Sequence, residues 1–166
     1  SNISDFPSYI GQIRRSRRRE YDKAIKNEML CVESKDVGIL DYLHKKTFSR
    51  QGLDRSKKSV DYLEKISNAA LKSGQGEMIV CFNKNNNPCS VYLYLKDSTT
   101  GYSMFGATDP NYRNTGCYTF VTLECIKRCY EQGLEYWDFL GVNSPDRGDY
   151  KISFNPDLIP FYSSVI

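Results

Sequence analysis

Residues 113–139, RNTGCYTFVTLECIKRCYEQGLEYWDF, form the stretch that decides the fold. Apolar side chains recur at helical spacing over 115–132, which predicts a buried helix. Gly133 follows that helix as a left-handed closing residue would, and 134–139 continues as a strand rich in aromatic residues. The short aromatic segment 102–105 predicts another strand before the turn. The stretch is therefore predicted to be a strand, a turn, a long helix and a strand.

The glycine-containing turn before the helix has a possible chemical use. The first amides of a helix lack partners within it, and the helix dipole adds positive charge there, so both favour an anion. Asn114 or Thr115 is a predicted cap, which leaves the amides of 115–118 for a pyrophosphate. Gly116 would let that group approach the backbone closely. The alternative interpretation is an ordinary capped helix that follows a turn.

The turn also resembles a known motif. It is similar to the Arg/Gln-x-x-Gly-x-Gly/Ala loop that binds the acyl-CoA pyrophosphate in the GNAT acyltransferase superfamily. Tyr118 stands where that loop has a small residue, and the same departure is seen in the GNAT-like Fem-type aminoacyltransferases, which build peptidoglycan bridges. The resemblance implies six cofactor-binding residues: Arg113, Asn114, Thr115, Gly116, Cys117 and Tyr118.

Further stretches resemble the same Fem-type branch. Residues 14–26 look like its paired-arginine lead helix, and 47–52 (TFSRQG) look like its Thr-x-x-Arg-x-Gly segment. Residues 138–141 (DFLG) and 148–154 (GDYKISF) look like its Asp-Phe-x-Gly and Gly-x-(Phe/Tyr)-Lys-x-x-Phe ending. Because these stretches follow one another in the family's order, the chain is identified as a GNAT-superfamily acyltransferase domain of the FemAB-like branch.

Periodicity and resemblance predict the same fold class. The other predicted elements are helices at 3–27, 36–49 and 60–74, strands at 29–33, 77–82 and 89–96, and a short helical piece and a strand near the end, where Phe161 and Tyr162 close the sheet. This order indicates an α+β (three-layer) protein. The resemblance specifies the GNAT-like acyl-CoA N-acyltransferase fold, with a mostly antiparallel mixed sheet, splayed central strands and flanking helices.

Three residues are candidates for catalysis. Asp109 follows the third strand of the sheet and is the candidate base, acting through water; the alternative is that it caps the turn at Pro110. Many GNAT enzymes have an Asn and, seven residues on, a Tyr, and Asn143 and Tyr150 have this spacing. The resemblance implies that Asn143 contacts the pantetheine arm and Tyr150 protonates the leaving thiolate. Lys151 would stabilise the oxyanion or hold a phosphate, or is a surface lysine.

Composition excludes several classes of protein. The formal net charge of +3 does not mark the whole domain as a nucleic-acid binder. No apolar run reaches the ~18 residues of a membrane span. One histidine and six cysteines without a Cys-x-x-Cys pair make a metal site unlikely and fit a reducing cytoplasm.

We expect one domain over residues 1–166, in which 1–28 is a lead helix that joins a preceding domain. The arginines on that helix would contact a neighbouring domain, or phosphates of a nucleotide-sugar or tRNA. A second GNAT-like domain or a homodimer is a further expected partner.

Three functional hypotheses remain. The first is an N-acyltransferase that uses acyl-CoA and an amine, such as an amino sugar or nucleotide-sugar of cell-envelope or polysaccharide synthesis. The second uses aminoacyl-tRNA as donor and builds peptide bridges. The third is a non-catalytic GNAT-like half of a tandem protein.

Overall fold

The computed structural model describes residues 1–142 and 145–160 of the chain. The strands are β1 (Leu30–Glu33), β2 (Gly76–Phe82), β3 (Pro88–Lys96), β4 (Thr100–Thr108) and β5 (Tyr136–Asp138). The helices are α1 (Phe6–Gln12), α2 (Arg15–Lys26), α3 (Val37–Arg50), α4 (Lys57–Ser73), α5 (Cys117–Glu131) and α6 (Pro145–Ile152), with a 3-10 helix at Pro110–Thr115.

The five strands form one sheet in the order β1-β2-β3-β4-β5. The first three pairings are antiparallel, and β4 pairs with β5 in parallel. That last pairing covers only the first three residues of β4, opposite Tyr136, Trp137 and Asp138. The remaining two thirds of β4 runs on to Thr108 without β5 beside it, so the two strands are splayed.

Helices cover both faces of the sheet because successive side chains of the central strands point to opposite faces and are apolar on both. On one face, α5 packs over Ile79, Cys81, Tyr92 and Tyr94, together with α1 and α2. On the other face, α3 and α4 pack over Met78, Val80, Val91 and Leu93. This three-layer mixed sheet confirms the predicted fold class.

Several element boundaries differ from the sequence predictions. The single helix predicted at 3–27 is two helices, because Ile13 is extended and the Arg14 amide donates to the Ser153 carbonyl. The short helical piece predicted near the end of the chain is α6, which begins at Pro145. The strand predicted at 134–139 is only three residues long. Phe161 and Tyr162, predicted to close the sheet, lie outside the described residues.

Candidate active site

The candidate site lies where β4 ends and α5 begins. Asp109 follows β4, and its side chain accepts a hydrogen bond of 3.0 Å from the Asn111 amide at the start of the 3-10 helix. Gly116 joins that helix to α5 with a φ of 85°. As the N-cap residue of α5, Gly116 offers no side chain to its first-turn amides. The first turn does have a long side-chain contact, a hydrogen bond of 3.4 Å from the Cys117 amide to Thr115 Oγ1, so the helix start is weakly capped.

Helix α2 lies directly against this turn. A Cβ added to Gly116 would lie 2.1 Å from the Glu20 carbonyl oxygen, and the Asn27 side chain donates to the Thr115 carbonyl at 3.4 Å. Gly116 is therefore needed for its left-handed backbone and for the close approach of α2. Gly116 also lines a cavity beside this contact, so its predicted approach to a ligand stays a prediction.

A cavity of about 350 Å³, the turn cavity, opens beside Gly116. An ion pair of 2.7 Å joins Arg17 Nη1 to Glu20 Oε2 on its α2 side. The Thr119 hydroxyl donates to the same Glu20 oxygen, and the Arg17 guanidinium lies 4.9 Å from the centre of the Tyr150 ring. The lining residues are Arg17, Glu20, Thr108, Arg113, Asn114, Gly116, Tyr118, Thr119 and Tyr150.

Two tyrosines form the aromatic side of the turn cavity. The Tyr150 hydroxyl shares a hydrogen bond of 3.2 Å with Thr122 Oγ1, and its ring centre lies 5.2 Å from that of Tyr118. Burial raises the pKa of Tyr150 to about 12, so the hydroxyl is protonated and can donate at neutral pH. Tyr118 lies over Gly106 of β4, where an added Cβ would be 2.3 Å from its hydroxyl. Tyr118 therefore takes up space beside the splayed part of β4.

A second cavity of about 630 Å³, the α3 cavity, lies on the other side of Asp109. The Asp109 carboxylate, only 4% exposed, pairs with Lys46 Nζ at 2.5 Å. Burial raises the pKa of Asp109, but hydrogen bonds from Lys46 and the Asn111 amide outweigh it, so the pKa lies below its usual value. The lining residues are Tyr42, Lys45, Lys46, Ser49, Arg50, Asp109, Pro110 and Asn111.

The predicted site residues are thus divided between two places. Four predicted cofactor-binding residues and Tyr150 share the turn cavity, whereas Asp109 lines the α3 cavity. Lys151 Nζ donates to the Gly141 carbonyl at 2.8 Å. Asn143 lies outside the described residues. None of these roles is tested by the geometry alone, and they stay predictions.

The other two residues of the predicted turn are engaged locally. The Thr115 hydroxyl donates to the Tyr112 carbonyl at 2.6 Å. Cys117 is fully buried, and burial raises the pKa of its thiol to about 11. These two side chains therefore shape the turn from within and do not line the turn cavity.

Sequence reasoning missed Glu20, Thr119 and Lys46. Thr119 carries a weak signal, since it is a polar residue within the helix that the sequence predicts to be buried, and the structure shows it 1% exposed. Glu20 and Lys46 have no such signal, because their partners lie 99 and 63 residues away along the chain.

Two features are absent from the described part of the chain. No group of three or more His, Cys, Asp or Glu side chains there is arranged to hold a metal ion. Among the helices of 1–142 and 145–160, none has the length and apolarity that crossing a membrane takes.

Comparison with known proteins identifies the family. The sequence profile of the acetyltransferase (GNAT) domain matches residues 8–151. The match covers most of the chain, so this protein belongs to the GNAT acetyltransferase family, as the turn motif predicted. A search of curated proteins gives no match.

Solved structures share the fold at low sequence identity. FemX has a TM-score of 0.75 and 14% identity, and the match covers 92% of this chain and 56% of FemX, so this chain spans little more than half of FemX. A predicted acetyltransferase from Clostridium acetobutylicum, solved with acetyl-CoA, has a TM-score of 0.64 and 13% identity over 83% of this chain and 96% of that one. An aminoglycoside acetyltransferase from an uncultured soil metagenomic sample, solved with sisomicin, has a TM-score of 0.60 and 14% identity. The match covers 86% of this chain and 99% of that one.

Proposed function

We propose that this domain is an N-acyltransferase of the FemAB-related branch that moves an acyl group from acyl-CoA to an amine. One observation carries the proposal. The consecutive residues Thr108 and Asp109, at the end of β4, line different cavities, the turn cavity and the α3 cavity. A donor in one cavity and an acceptor in the other would meet across the end of this strand.

The turn cavity suits the donor. It adjoins the weakly capped start of α5, and Arg17 and Arg113 supply positive charge for phosphates. Asn114 and Gly116 line it as the predicted loop requires. The acetyl-CoA in the structure of the Clostridium acetobutylicum protein, which shares this fold, supports acyl-CoA as the donor class.

The α3 cavity suits an acceptor that carries negative charge. Lys45, Lys46 and Arg50 line it, beside Tyr42, whose ring centre lies 4.7 Å from the Lys46 ammonium. Cations of this kind pair with phosphate, and an aromatic face suits a sugar or base. This supports an amino sugar or nucleotide-sugar of envelope or polysaccharide synthesis. The aminoglycoside acetyltransferase with the same fold supports a small amine acceptor in general.

The proposed chemistry is direct attack. The acceptor nitrogen attacks the thioester carbonyl carbon, a C–N bond forms, and the C–S bond breaks with its electron pair on sulfur. Asp109, ionised at neutral pH, takes the proton from the amine through water. Tyr150 donates a proton to the leaving thiolate. Lys151 is proposed to stabilise the oxyanion, with Asn143 on the pantetheine arm.

The surroundings of the domain are also part of the proposal. We place it in the cytoplasm, where acyl-CoA occurs and where its six free cysteines would stay reduced. Residues 1–28 are proposed to lead in from a preceding domain. A second GNAT-like unit or a homodimer partner fits the match to about half of FemX.

Release of CoA thiol from acetyl-CoA tests the proposal. The amines would be a neutral amino sugar, the same sugar linked to a nucleotide diphosphate, and a simple alkylamine. We expect release with amino sugars, fastest with the nucleotide-linked form. No release with any of the amines, from protein shown to be folded, would contradict the proposed function. Aminoacyl transfer from tRNA under the same conditions would support the alternative donor.

A further inference from the structure

A carboxylate already occupies the positive end of the turn cavity. Glu20 Oε2 accepts a hydrogen bond from Thr119, the third residue of α5, and pairs with Arg17 at 2.7 Å. The partial positive charge of a helix start and the charge of Arg17 therefore both act on one side chain. Glu20 is a protein group in the kind of position that an anionic ligand would take.

The ion pair is arranged so that it can exchange partners. The Glu20 side chain is 37% exposed, whereas that of Arg17 is 18% exposed and is held over the Tyr150 ring. Within residues 1–142 and 145–160, the buried Arg17 Nε has no hydrogen-bond partner. Arg17 is also held by a hydrogen bond of 3.3 Å from its Nη1 to Thr119 Oγ1, whereas the more exposed Glu20 side chain can turn toward solvent.

We infer that Glu20 is an internal anion that sets the affinity for the donor. A donor phosphate replaces the Glu20 carboxylate as the partner of Arg17 and of the first turn of α5. This inference rests on the proposed function, because it assumes that the donor enters the turn cavity. Like charges disfavour one another at contact distance, so Glu20 lowers the affinity of the site for a polyanion such as CoA.

The substitution Glu20→Gln separates charge from shape. The amide keeps the size of the side chain and can still accept from Thr119, but it carries no charge. We expect it to lower the dissociation constant of CoA about tenfold, and we expect the gain to shrink as salt screens the charges. Glu64→Gln, on the exposed face of α4, changes the net charge equally and is the matched control.

Calorimetric titration of CoA into the parent and both variants tests the inference, with thermal unfolding as the check on folding. Tighter binding by Glu20→Gln, and unchanged binding by Glu64→Gln, supports it. If the Gln variant fails to fold, Glu20→Ala is titrated in its place, with the same expectation.

The other outcomes separate the two proposals. Equal or weaker binding by a folded Glu20 variant, beside a parent that binds CoA, overturns this inference and leaves the proposed function intact. Binding by the variant alone supports the inference and argues that CoA is not the natural donor. Absence of binding by every protein overturns both.

Discussion

The Tyr150 hydroxyl is the proposed proton donor in the turn cavity. Its pKa of about 12 keeps it protonated, and Thr122 fixes its position. We predict that Tyr150→Phe lowers kcat by about 10- to 100-fold, since a positioned acid contributes roughly this much or more. The KM for acetyl-CoA should change little, because the ring remains. Steady-state kinetics with a saturating amine measures both constants.

A matched tyrosine provides the control. The Tyr102 hydroxyl donates to Asp97 in the exposed hairpin before β4, away from both cavities. Tyr102→Phe removes the same atom and should leave kcat unchanged. Equal effects of the two substitutions, or full activity in Tyr150→Phe, would rule out Tyr150 as the donor.

Asp109 has two candidate roles that one pair of variants can separate. Asp109→Asn removes the proposed base and its ion pair with Lys46, whereas Lys46→Gln removes only the ion pair. Both should lose about 1–3 kcal/mol of unfolding free energy, because each leaves a partly buried polar group unpaired. We predict that Asp109→Asn also lowers kcat/KM by at least about 100-fold.

Urea unfolding and kcat/KM, measured on both variants, decide between these roles. If the two proteins lose the same activity as well as the same stability, Asp109 acts only through its contact with Lys46, and its role as the base is ruled out.

At the scale of residues, the sequence located part of the lining of the turn cavity. Gly116 and its neighbours could be found because the residues of a turn motif are adjacent in the sequence and therefore lie together in the structure. Glu20 and Lys46 could not, because they act through contacts with Thr119 and Asp109 that depend on how helices pack on the sheet. A charged residue on a helix surface looks the same in sequence whether it faces solvent or a cavity.

At the scale of elements, the start of β4 is packed tightly under α5 and β5. A Cβ added to Gly101 would lie 2.6 Å from Cys129 Sγ and 2.9 Å from the Trp137 ring. We predict that Gly101→Ala lowers the unfolding free energy by about 1–3 kcal/mol through overpacking. Denaturant unfolding measures this loss.

Gly11→Ala is the opposite case and the control. Gly11 lies inside α1 with nothing within 4 Å of an added Cβ. Alanine favours helices over glycine by about 1 kcal/mol, so this variant should be as stable as the parent or more so. A loss in Gly11→Ala as large as that in Gly101→Ala would contradict the packing argument.

Elements with strong local signals were predicted well. Helix α5 differs from its prediction by two residues at its start and one at its end, because a long apolar stripe closed by Gly133 is unambiguous. The break at Ile13 was missed because a tertiary hydrogen bond, from Arg14 to Ser153, specifies it. Helix α6 was predicted only as a short helical piece without bounds, because its short polar sequence has little apolar periodicity.

At the scale of the whole molecule, the carboxylates of Glu77 and Asp109 are among those that link stability to pH. Burial raises the pKa of Glu77, but hydrogen bonds from Lys96, Tyr94 and Gln132 outweigh it, and the pKa of Asp109 is lowered in the same way. A carboxyl whose pKa is lower in the folded than in the unfolded chain stabilises the fold above the unfolded value. This stability is lost as the pH falls through the folded value.

We therefore predict that the unfolding free energy is steady near neutral pH and falls below roughly pH 4, where unfolded carboxylates take up protons. Glu77→Gln should be less stable at neutral pH and should lose less on acidification. Glu64→Gln, on the exposed face of α4, should show the same fall of unfolding free energy with pH as the parent. Urea unfolding at a series of pH values measures the unfolding free energy of the parent and both variants. If this free energy falls equally with pH in all three proteins, Glu77 does not contribute to the pH dependence.

The central claim is that acyl-CoA binds at the start of α5. The most direct test is a titration of the isotope-labelled protein with acetyl-CoA, followed by backbone amide NMR shifts. We predict saturable shifts concentrated at residues 113–119 and at Tyr150, with small changes along α4. No shifts at saturating acetyl-CoA, or shifts confined to the α3 cavity around Lys45 and Arg50, would contradict the claim.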